Sequence, residues 1–428
     1  MRITIPDFCL VVLIGASGSG KSTFARRHFK ATEVVSSDAC RGLVEDDESS
    51  LDSITLLHFI AETRLKRRKL TVIDAINVRQ EDRAHFVRIA KKYHALAVAI
   101  VLDPGADLCQ ERNKARYDRQ FGPHVVRNHM LSLRRNLRGI GKEGFRYVHE
   151  LGSVEAIDSL KIARESLWTD ARHKSGPFDI IGDVHGCADE LEALLAKLGY
   201  LVSWESNGTD WACTVIPPQG RRAIFVGDLV DRGPRTPDVL RLVHTMVASG
   251  AALCVPGNHE VKLIRWLHGR NVKLTHGLAE SAAQLEHESR SFRVRMRTFL
   301  DNLVSHLWLD GGRLVVAHAG ITEEMIGRSS GAVREFCLYG ETTGETDEYG
   351  LPVRYNWASE YRGSTTVVYG PHARCHCGVA QQHDLHRHRL CLRRQAHGIA
   401  LAREGAGRGV GGQGLCRADS AASGHDLR

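Results

Sequence analysis

Four short clusters of Asp, His and Asn, each following an apolar run, carry side chains that could hold divalent metal ions. They are GDVHG at 182–186, GDLVDRG at 227–233, GNHE at 257–260 and AHAG at 317–320. Such donors suit Mn²⁺, Ni²⁺ or similar ions. Two adjacent ions need a shared carboxylate, for which Asp228 is the natural choice, and together they would activate a water for in-line phosphoryl displacement. A single cluster of this kind is more often a turn, but four in order indicate a binuclear site.

A second chemistry is indicated by the segment 15–22, GASGSGKS, which fits the pattern GxxxxGK[ST] between an apolar strand and a helix. Its glycines let backbone N–H groups surround a phosphate, and the helix N-terminus adds positive potential. Lys21 would reach the terminal phosphates and the Ser22 hydroxyl would bind Mg²⁺. The residues expected to contact the nucleotide are Gly15, Ser17, Gly18, Ser19, Gly20, Lys21, Ser22 and Thr23.

The group that accepts the phosphate is indicated by SSDACR at 36–41. Asp38 could accept a proton from an attacking hydroxyl, and Arg41 could bind an anionic acceptor. A helix N-cap is an equally good interpretation of Asp38. Asp74, which ends the apolar run TVIDA, could orient Mg²⁺ or the acceptor.

Three arginines, Arg112, Arg116 and Arg119, lie three to four residues apart and would share one helix face. Such a face suits a lid that neutralises a transferring phosphate. Without further evidence, a solvated basic face is the simpler interpretation.

The elements that must position these residues alternate between β-rich runs and helical stretches, which predicts an α/β protein. The strands expected over residues 1–170 are 10–14, 71–75 and 97–102, with a helix at 22–29, in a parallel sheet flanked by helices. Strands are expected at 178–181, 223–226, 252–255, 313–317 and 365–369 in a second unit spanning 178–370, with a helix at 188–198. The first four of these end in the polar clusters, as open α/β sheets favour.

Composition indicates a globular protein of 428 residues with 25% charged side chains and a net charge of +8. The segment 371–428 holds nine Arg against four Asp and Glu, a net +5 of that +8, and it contains no Lys, Phe, Tyr or Trp. The net positive charge of the whole chain is therefore poor evidence for nucleic-acid binding. The apolar start is too short for a membrane span, so we expect a cytoplasmic protein with reduced thiols and no membrane partner.

The four polar clusters resemble those of the calcineurin-like metallophosphatases. These clusters follow a P-loop module that carries SSDACR, and this order of modules resembles bacterial polynucleotide kinase-phosphatase, an RNA end-healing and sealing enzyme. The resemblance covers about residues 1–370. It implies a P-loop polynucleotide kinase domain at 1–170 and an α/β metallophosphatase sandwich domain at 178–370, C-terminally incomplete.

For the kinase, the resemblance implies that the loop residues bind ATP and Mg²⁺. Asp38 would be the general base for an RNA 5′-hydroxyl, and Arg41 would hold the acceptor end. Arg116 and Arg119 would be lid arginines, which favours the lid over the solvated face.

For the phosphatase, the resemblance implies one metal held by Asp183, His185 and Asp228. The second metal would be held by Asp228, Asn258 and His318.

The same resemblance implies three further catalytic residues. His259, oriented by Asp231, would protonate the leaving oxygen, and Arg232 would bind the substrate phosphate. The substrates would be 2′,3′-cyclic, 2′- or 3′-phosphate ends of broken RNA, tRNA among the candidates, and a homodimer is left open.

Two departures from the family alter these expectations. The chain is too short for the family's ligase module, so we expect no sealing activity and no docking site for an RNA 3′-end methyltransferase. The family also continues Tyr-Gly-His-Thr-Pro, whose His is a ligand of the second metal, where this chain has Tyr369-Gly370-Pro371-His372-Ala373. One inserted base turns CAC-ACG-CC into CCA-CAC-GCC, which encodes Pro-His-Ala.

The rest of the tail fits the same shift. With one choice of codons, residues 381–389 begun one base later give Asn-Asn-Thr-Ile-Cys-Ile-Asp-Thr-Gly, which resembles the family's NNTI-x-IDTG. We therefore predict that 371–428 is a disordered, frameshifted tail, from a sequencing error or a mutation, and that the phosphatase is impaired. The alternative is a divergent His-rich tail whose His372 replaces the ligand.

Two other functions stay open from the sequence. The metal clusters also fit a protein Ser/Thr or dinucleoside-polyphosphate phosphatase with an accessory NTPase, although SSDACR favours a hydroxyl acceptor. A truncated chain that only binds RNA is the non-enzymatic alternative.

Overall fold

The computed structural model describes residues 1–44, 51–115, 121–207, 210–346, 352–370, 378–380, 389–395 and 398–401. Arg116, Arg119 and most of the tail therefore lie outside the described residues.

The N-terminal part is built on five parallel strands in the order β3-β4-β2-β5-β6, with a separate parallel pair β1-β7. The strands are β1 Arg2–Pro6, β2 Cys9–Ile14, β3 Val34–Ser36, β4 Thr71–Asp74, β5 Leu96–Leu102, β6 Tyr147–Leu151 and β7 Lys161–Glu165. The helices are α1 Lys21–His28, α2 Ser37–Val44, α3 Leu51–Lys66, α4 Gln80–Lys92, α5 Ala106–Lys114, α6 Pro123–Leu137 and α7 Val154–Ser159.

The central strand β2 is apolar throughout because both faces of this sheet are covered. Val12 and Ile14 pack with residues of α3 and α4, whereas Val11 and Leu13 pack on the opposite face with residues of α1. This is the burial pattern expected of parallel sheets. The glycine loop thus leaves the carboxyl end of the most buried strand.

The C-terminal part contains two main sheets, ordered β12-β11-β8-β19-β20 and β13-β14-β17-β18, and two antiparallel pairs, β9-β10 and β15-β16. The strands are β8 Phe178–Ile181, β9 Leu201–Asn207, β10 Asp210–Ile216, β11 Arg222–Phe225, β12 Ala252–Cys254, β13 His306–Leu309, β14 Leu314–Ala317, β15 Thr342–Thr346, β16 Pro352–Arg354, β17 Thr366–Tyr369, β18 Gly378–Ala380, β19 Arg389–Gln395 and β20 Gly398–Leu401. The helices are α8 Ala188–Leu198, α9 Thr236–Ala248, α10 Asn258–Leu267, α11 Leu278–Glu286, α12 Arg290–Asp301 and α13 Gly331–Tyr339.

The two sheets face each other across an apolar core. Ile180, Ile224 and Val316 belong to the cluster between the sheets, whereas Ile181 and Phe225 point the other way and pack with residues of helices α8 to α12. On the outer side of the second sheet, residues of β14 and β17 pack with α13. The alternation of successive side chains makes each strand contribute to two layers, and the result is a helix–sheet–sheet–helix sandwich.

The predicted α/β class and the main elements are confirmed. The helix expected at 188–198 is α8 without change, and the five strands expected in the second unit are within one residue of β8, β11, β12, β14 and β17. Three short segments of the tail form strands where disorder was expected, since β18 pairs with β17 and β19 pairs with β8 and β20. The sequence did not indicate these strands, since their composition is not β-rich. Within the described residues, every helix is too short or too polar to cross a bilayer.

The two parts of the chain are joined through Arg328, whose side chain is buried. Its guanidinium donates to the carbonyls of Leu65, Lys66 and Tyr93, at the C-terminal ends of α3 and α4. Carbonyls at the end of a helix lack the N–H partners that a following turn would supply, and the negative end of a helix dipole favours a cation. In return Arg68 donates to the Gly327 carbonyl at 3.3 Å.

We expect Arg328→Met to lower the free energy of unfolding by about 2–4 kcal/mol, because several charge-assisted hydrogen bonds are lost together. Chemical denaturation followed by circular dichroism measures this. The control is Arg67→Met, an exposed arginine in the turn after α3, which should change stability by less than about 0.5 kcal/mol. Equal effects of the two variants would contradict the proposed role of Arg328.

Candidate active sites

The glycine loop lies between β2 and α1 and has the shape of a phosphate cradle. Gly18 and Gly20 have φ values of 81° and 92°, which other residues rarely adopt. A Cβ at Gly18 would lie 2.2 Å from the Cys109 carbonyl oxygen, so no larger residue fits. Lys21 Nζ lies over the loop and donates to the carbonyls of Gly15 and Ala16 at 2.9 Å each.

A carboxylate and a hydroxyl suited to Mg²⁺ lie beside the loop. Asp74 ends β4, which pairs with β2 so that Asp74 is level with Leu13. Burial raises the pKa of Asp74, and a hydrogen bond to Ser22 and the charge of Lys21 oppose the rise. The oxygen donors of Ser22 and Asp74 fit Mg²⁺, which prefers such ligands.

Asp38 lies near this pair. Ser36 is level with Asp74 in the parallel ladder, and α2 starts at the next residue. The Ser36 hydroxyl accepts a hydrogen bond from the Ala39 N–H at 3.4 Å, so the capping role belongs to Ser36 and the N-cap interpretation of Asp38 is wrong. Asp38 instead pairs with Arg41 at 3.0 Å, and its charge contributes to the raised pKa of Asp74.

Of the three arginines expected to form a lid, Arg112 lies within the described residues and Arg116 and Arg119 do not. Arg112, on α5, faces the loop, since its Nη1 lies 3.4 Å from where a Cβ would stand on Gly20. The lid roles of Arg116 and Arg119 stay predictions.

In the second part of the chain, Asp228 lies at the centre of three histidines. Its Oδ2 is 3.8 Å from His185 Nε2 and 3.9 Å from His259 Nε2, whereas its Oδ1 is 3.5 Å from His318 Nε2. The two oxygens of one carboxylate therefore face two different donor groups. This is the arrangement that a bridging ligand requires.

The ring orientation of two histidines is set by backbone carbonyls. Nδ1 of His185 lies 2.9 Å from the Val230 carbonyl, and Nδ1 of His318 lies 2.9 Å from the Val226 carbonyl. Donation from Nδ1 leaves each Nε2 free to bind a metal. Burial lowers the pKa of His185 to about 4, which keeps it neutral as a metal ligand must be. Burial also acts to lower the pKa of His318, but the charges of Asp228 and Asp183, the hydrogen bond to the Val226 carbonyl and the charge of Glu260 together raise it.

The remaining predicted ligands converge on the same place. Asn258 begins α10, and its Oδ1 lies 3.1 Å from His318 Nε2. Two triads have donor atoms within 4.8 Å of one another: His185 with Asp228 and His259, and Asp183 with Asp228 and His318. By distance, Asp183 thus groups with His318 rather than with His185. Two donor groups that share Asp228 could hold two ions, and carboxylate, imidazole and amide donors suit divalent metals.

His259 lies between Asp231 and Arg232 at the edge of the metal-ligand cluster. Its Nδ1 lies 2.6 Å from Asp231 Oδ2, which leaves Nε2 facing the metal-ligand cluster, and Arg232 Nη2 lies 3.5 Å from that Nε2. Burial lowers the pKa of His259, but the hydrogen bond to Asp231 and the charge of Asp228 outweigh burial and raise it. The arrangement favours a protonated imidazole beside a guanidinium.

Glu260 was not assigned a role from the sequence. Its fully buried carboxylate accepts hydrogen bonds from the N–H groups of Gly257 at 2.6 Å, Asp228 at 2.9 Å and Leu229 at 2.8 Å. It thereby ties the loop that carries Asp228 to the loop that carries Asn258. The sequence did contain a signal for this role, because Glu260 is an acidic residue that follows Asn258 and His259 at the start of an amphipathic helix.

The end of β17 also lies at this site. The Gly370 N–H donates to the His318 carbonyl at 2.8 Å, and a Cβ at Gly370 would lie 3.3 Å from Asp183 Oδ1. The residues expected to carry the missing ligand follow directly, but Pro371 and His372 are outside the described residues. The frameshift stays a prediction.

The comparisons with known proteins agree with this geometry. Residues 10–140 match an AAA domain and residues 176–393 match the calcineurin-like phosphoesterases. The chain belongs to the calcineurin-like phosphoesterase family. The order of the two matches is the kinase–phosphatase architecture expected from the motifs.

Similar proteins cover the phosphatase part. The bis(5′-nucleosyl)-tetraphosphatase PrpE (asymmetrical) of Anoxybacillus flavithermus is 45% identical over 197 residues, which are 45% of this chain and 77% of that protein. The PrpE of Bacillus subtilis is 43% identical over 197 residues, 45% of this chain and 78% of that protein. A chain in the structure of the Pnkp1/Rnl/Hen1 RNA repair complex is 16% identical with a TM-score of 0.29, covering 68% of this chain and 93% of that one.

We expect Glu260→Gln to weaken metal binding about 10- to 100-fold, the usual range for residues that support ligands, because an amide has one acceptor oxygen where the carboxylate has two. Isothermal titration with Mn²⁺ measures the affinity. Glu286→Gln, at an exposed position of α11, is the matched control. Unchanged Mn²⁺ affinity in Glu260→Gln would disprove the supporting role.

Proposed function

We propose that this chain heals RNA ends: an ATP-dependent kinase phosphorylates 5′-hydroxyl ends, and a binuclear metallophosphatase removes 2′,3′-cyclic, 2′- or 3′-phosphates. The observation that carries the proposal is the placement of Asp38 and Arg41 beside the phosphate loop in a chain that also holds the Asp228 cluster. A kinase that makes 5′-phosphates and a phosphatase that clears the other terminus act on the two ends of one broken strand.

In the kinase, the loop amides and Lys21 bind the ATP phosphates. Ser22 and Asp74 would hold Mg²⁺, which when bound neutralises phosphate charge. Asp38 takes the proton of the attacking 5′-hydroxyl. Its ion pair with Arg41 orients the carboxylate, and Arg112 adds positive charge over the loop.

In the phosphatase, the metal ligands are Asp183, His185, Asp228, Asn258 and His318. Two bound ions would supply an activated water and stabilise phosphoryl oxygens. His259 donates a proton to the leaving oxygen from Nε2, while Asp231 holds its Nδ1. Arg232 binds the substrate phosphate next to that Nε2.

We expect Asp38→Asn to lower transfer of phosphate from ATP to a 5′-hydroxyl RNA by at least about 100-fold, the usual loss of a general base, while phosphatase activity stays unchanged. A gel assay with labelled ATP and a 5′-hydroxyl RNA oligonucleotide measures the transfer, and release of inorganic phosphate from a 3′-phosphate oligonucleotide measures the phosphatase. Asp52→Asn, an exposed Asp of α3, should leave transfer unaffected. ATP turnover by the unmodified chain without RNA phosphorylation would overturn the kinase assignment.

A second candidate, hydrolysis of dinucleoside tetraphosphates, is favoured by one observation. Two relatives that match the phosphatase part carry that activity in their names. It would use the same metal ligands, so the two functions differ in substrate rather than in chemistry.

One assay separates these candidates and tests the tail. The chain and a version with the reading frame restored after Gly370 are compared on 3′-phosphate RNA and on a dinucleoside tetraphosphate. We expect RNA to be the better substrate, and frame restoration to raise the rate by at least about 10-fold, because a recovered imidazole completes the second metal site. A higher rate on the tetraphosphate would favour the second candidate, and no gain on restoration would disprove the missing-ligand prediction.

A further inference from the structure

We propose that helix α11 positions the acid–base machinery of the phosphatase: Ser281 and Gln284 clamp the turn that carries Asp231 and Arg232. The inference rests on the proposed roles of those residues and of His259. Ser281 and Gln284 are positioning residues, since they act through the turn.

The turn needs such support because its backbone is strained. Asp231 and Arg232 have φ values of 73° and 67°, a left-handed conformation that residues other than glycine rarely adopt. Two such residues in succession persist only where the surroundings determine their conformation.

The polar contacts of α11 meet both ends of the turn. Ser281 Oγ accepts the Asp231 N–H at 2.9 Å and lies 3.2 Å from Thr236 Oγ1. Gln284 accepts the Thr236 N–H at 2.8 Å and donates to the Gly233 carbonyl at 3.0 Å. Ser281, Thr236 and Asp231 are all fully buried, so water cannot replace these bonds.

The start of α11 lies against the same turn. Gly277, with φ of 94°, directly precedes α11, and a Cβ at this position would lie 2.5 Å from the backbone nitrogen of Arg232. The backbone of α11 therefore touches the turn at Arg232, while its side chains hold the flanking residues. A rotation of the turn would move both the partner of His259 Nδ1 and the guanidinium beside its Nε2.

This arrangement makes a kinetic prediction that depends on the leaving group. An acidic leaving group such as p-nitrophenol departs without a proton, whereas a weakly acidic one such as phenol needs the proton of His259. If Ser281 and Gln284 orient His259, removing one of these side chains slows hydrolysis of the phenol ester more than hydrolysis of the p-nitrophenol ester. A purely structural role would slow both equally.

The test uses the full chain with Ser281→Ala and, in case that variant fails to fold, Gln284→Ala. We expect kcat on phenyl phosphate to fall about 10- to 100-fold, the cost of misplacing a catalytic group by about 1 Å, while kcat on p-nitrophenyl phosphate falls less than threefold. His259→Ala should show the same selectivity, and Gln219→Ala, at an exposed position, should show no loss.

Equal losses on the two substrates, or no loss on either, would overturn the proposal. Both substrates are simple aryl phosphates, so the result does not depend on whether RNA is the natural substrate. Failure of the RNA assignment and failure of the clamp are therefore distinguishable.

Discussion

The phosphatase site depends on one buried carboxylate, that of Glu260. Backbone N–H groups of two loops point at its oxygens, and these are the loops that present Asp228 and Asn258. Burial and the charge of Asp228 raise the pKa of Glu260, and the hydrogen bond from Gly257 opposes the rise. A negative group this deep is tolerated because several N–H donors converge on it. The backbone at residue 257 lies so close to Asp228 that only glycine fits there, since a Cβ at Gly257 would lie 2.1 Å from Asp228 Oδ1.

Around Glu260, the loops of the site have strained backbone conformations that rigid neighbouring elements support. His185 and Asp228 have φ values of 47° and 48°, and the next turn continues the pattern at Asp231 and Arg232. Such conformations collect at functional sites because they aim side chains in directions that regular strands cannot. The sandwich supplies the rigidity, since its two sheets share one apolar core while helices cover the outer faces.

Much of the fold followed from local patterns. Apolar runs and the polar clusters after them placed β8, β11, β12 and β14 to within a residue, because buried strands are continuous in sequence and their ends carry the site. The role of Asp38 could not be settled in the same way, since an Asp near the start of α2 suits a cap and a catalytic base equally. In the structure the Ser36 hydroxyl caps α2, which removes the cap interpretation of Asp38 and leaves its catalytic role as a proposal.

By itself, the sequence determined the chemistry: a phosphate loop with Lys21, and Asp, His and Asn donors in the order of a binuclear site. These are local properties, because residue type and spacing along one strand–loop unit define them. Which donors meet depends on the folded chain. It placed Asp183 with His318, gave Glu260 its role and set α11 against the Asp231 turn. These outcomes depend on how separate loops approach in space, and the spacing of residues along the chain carries no information about that.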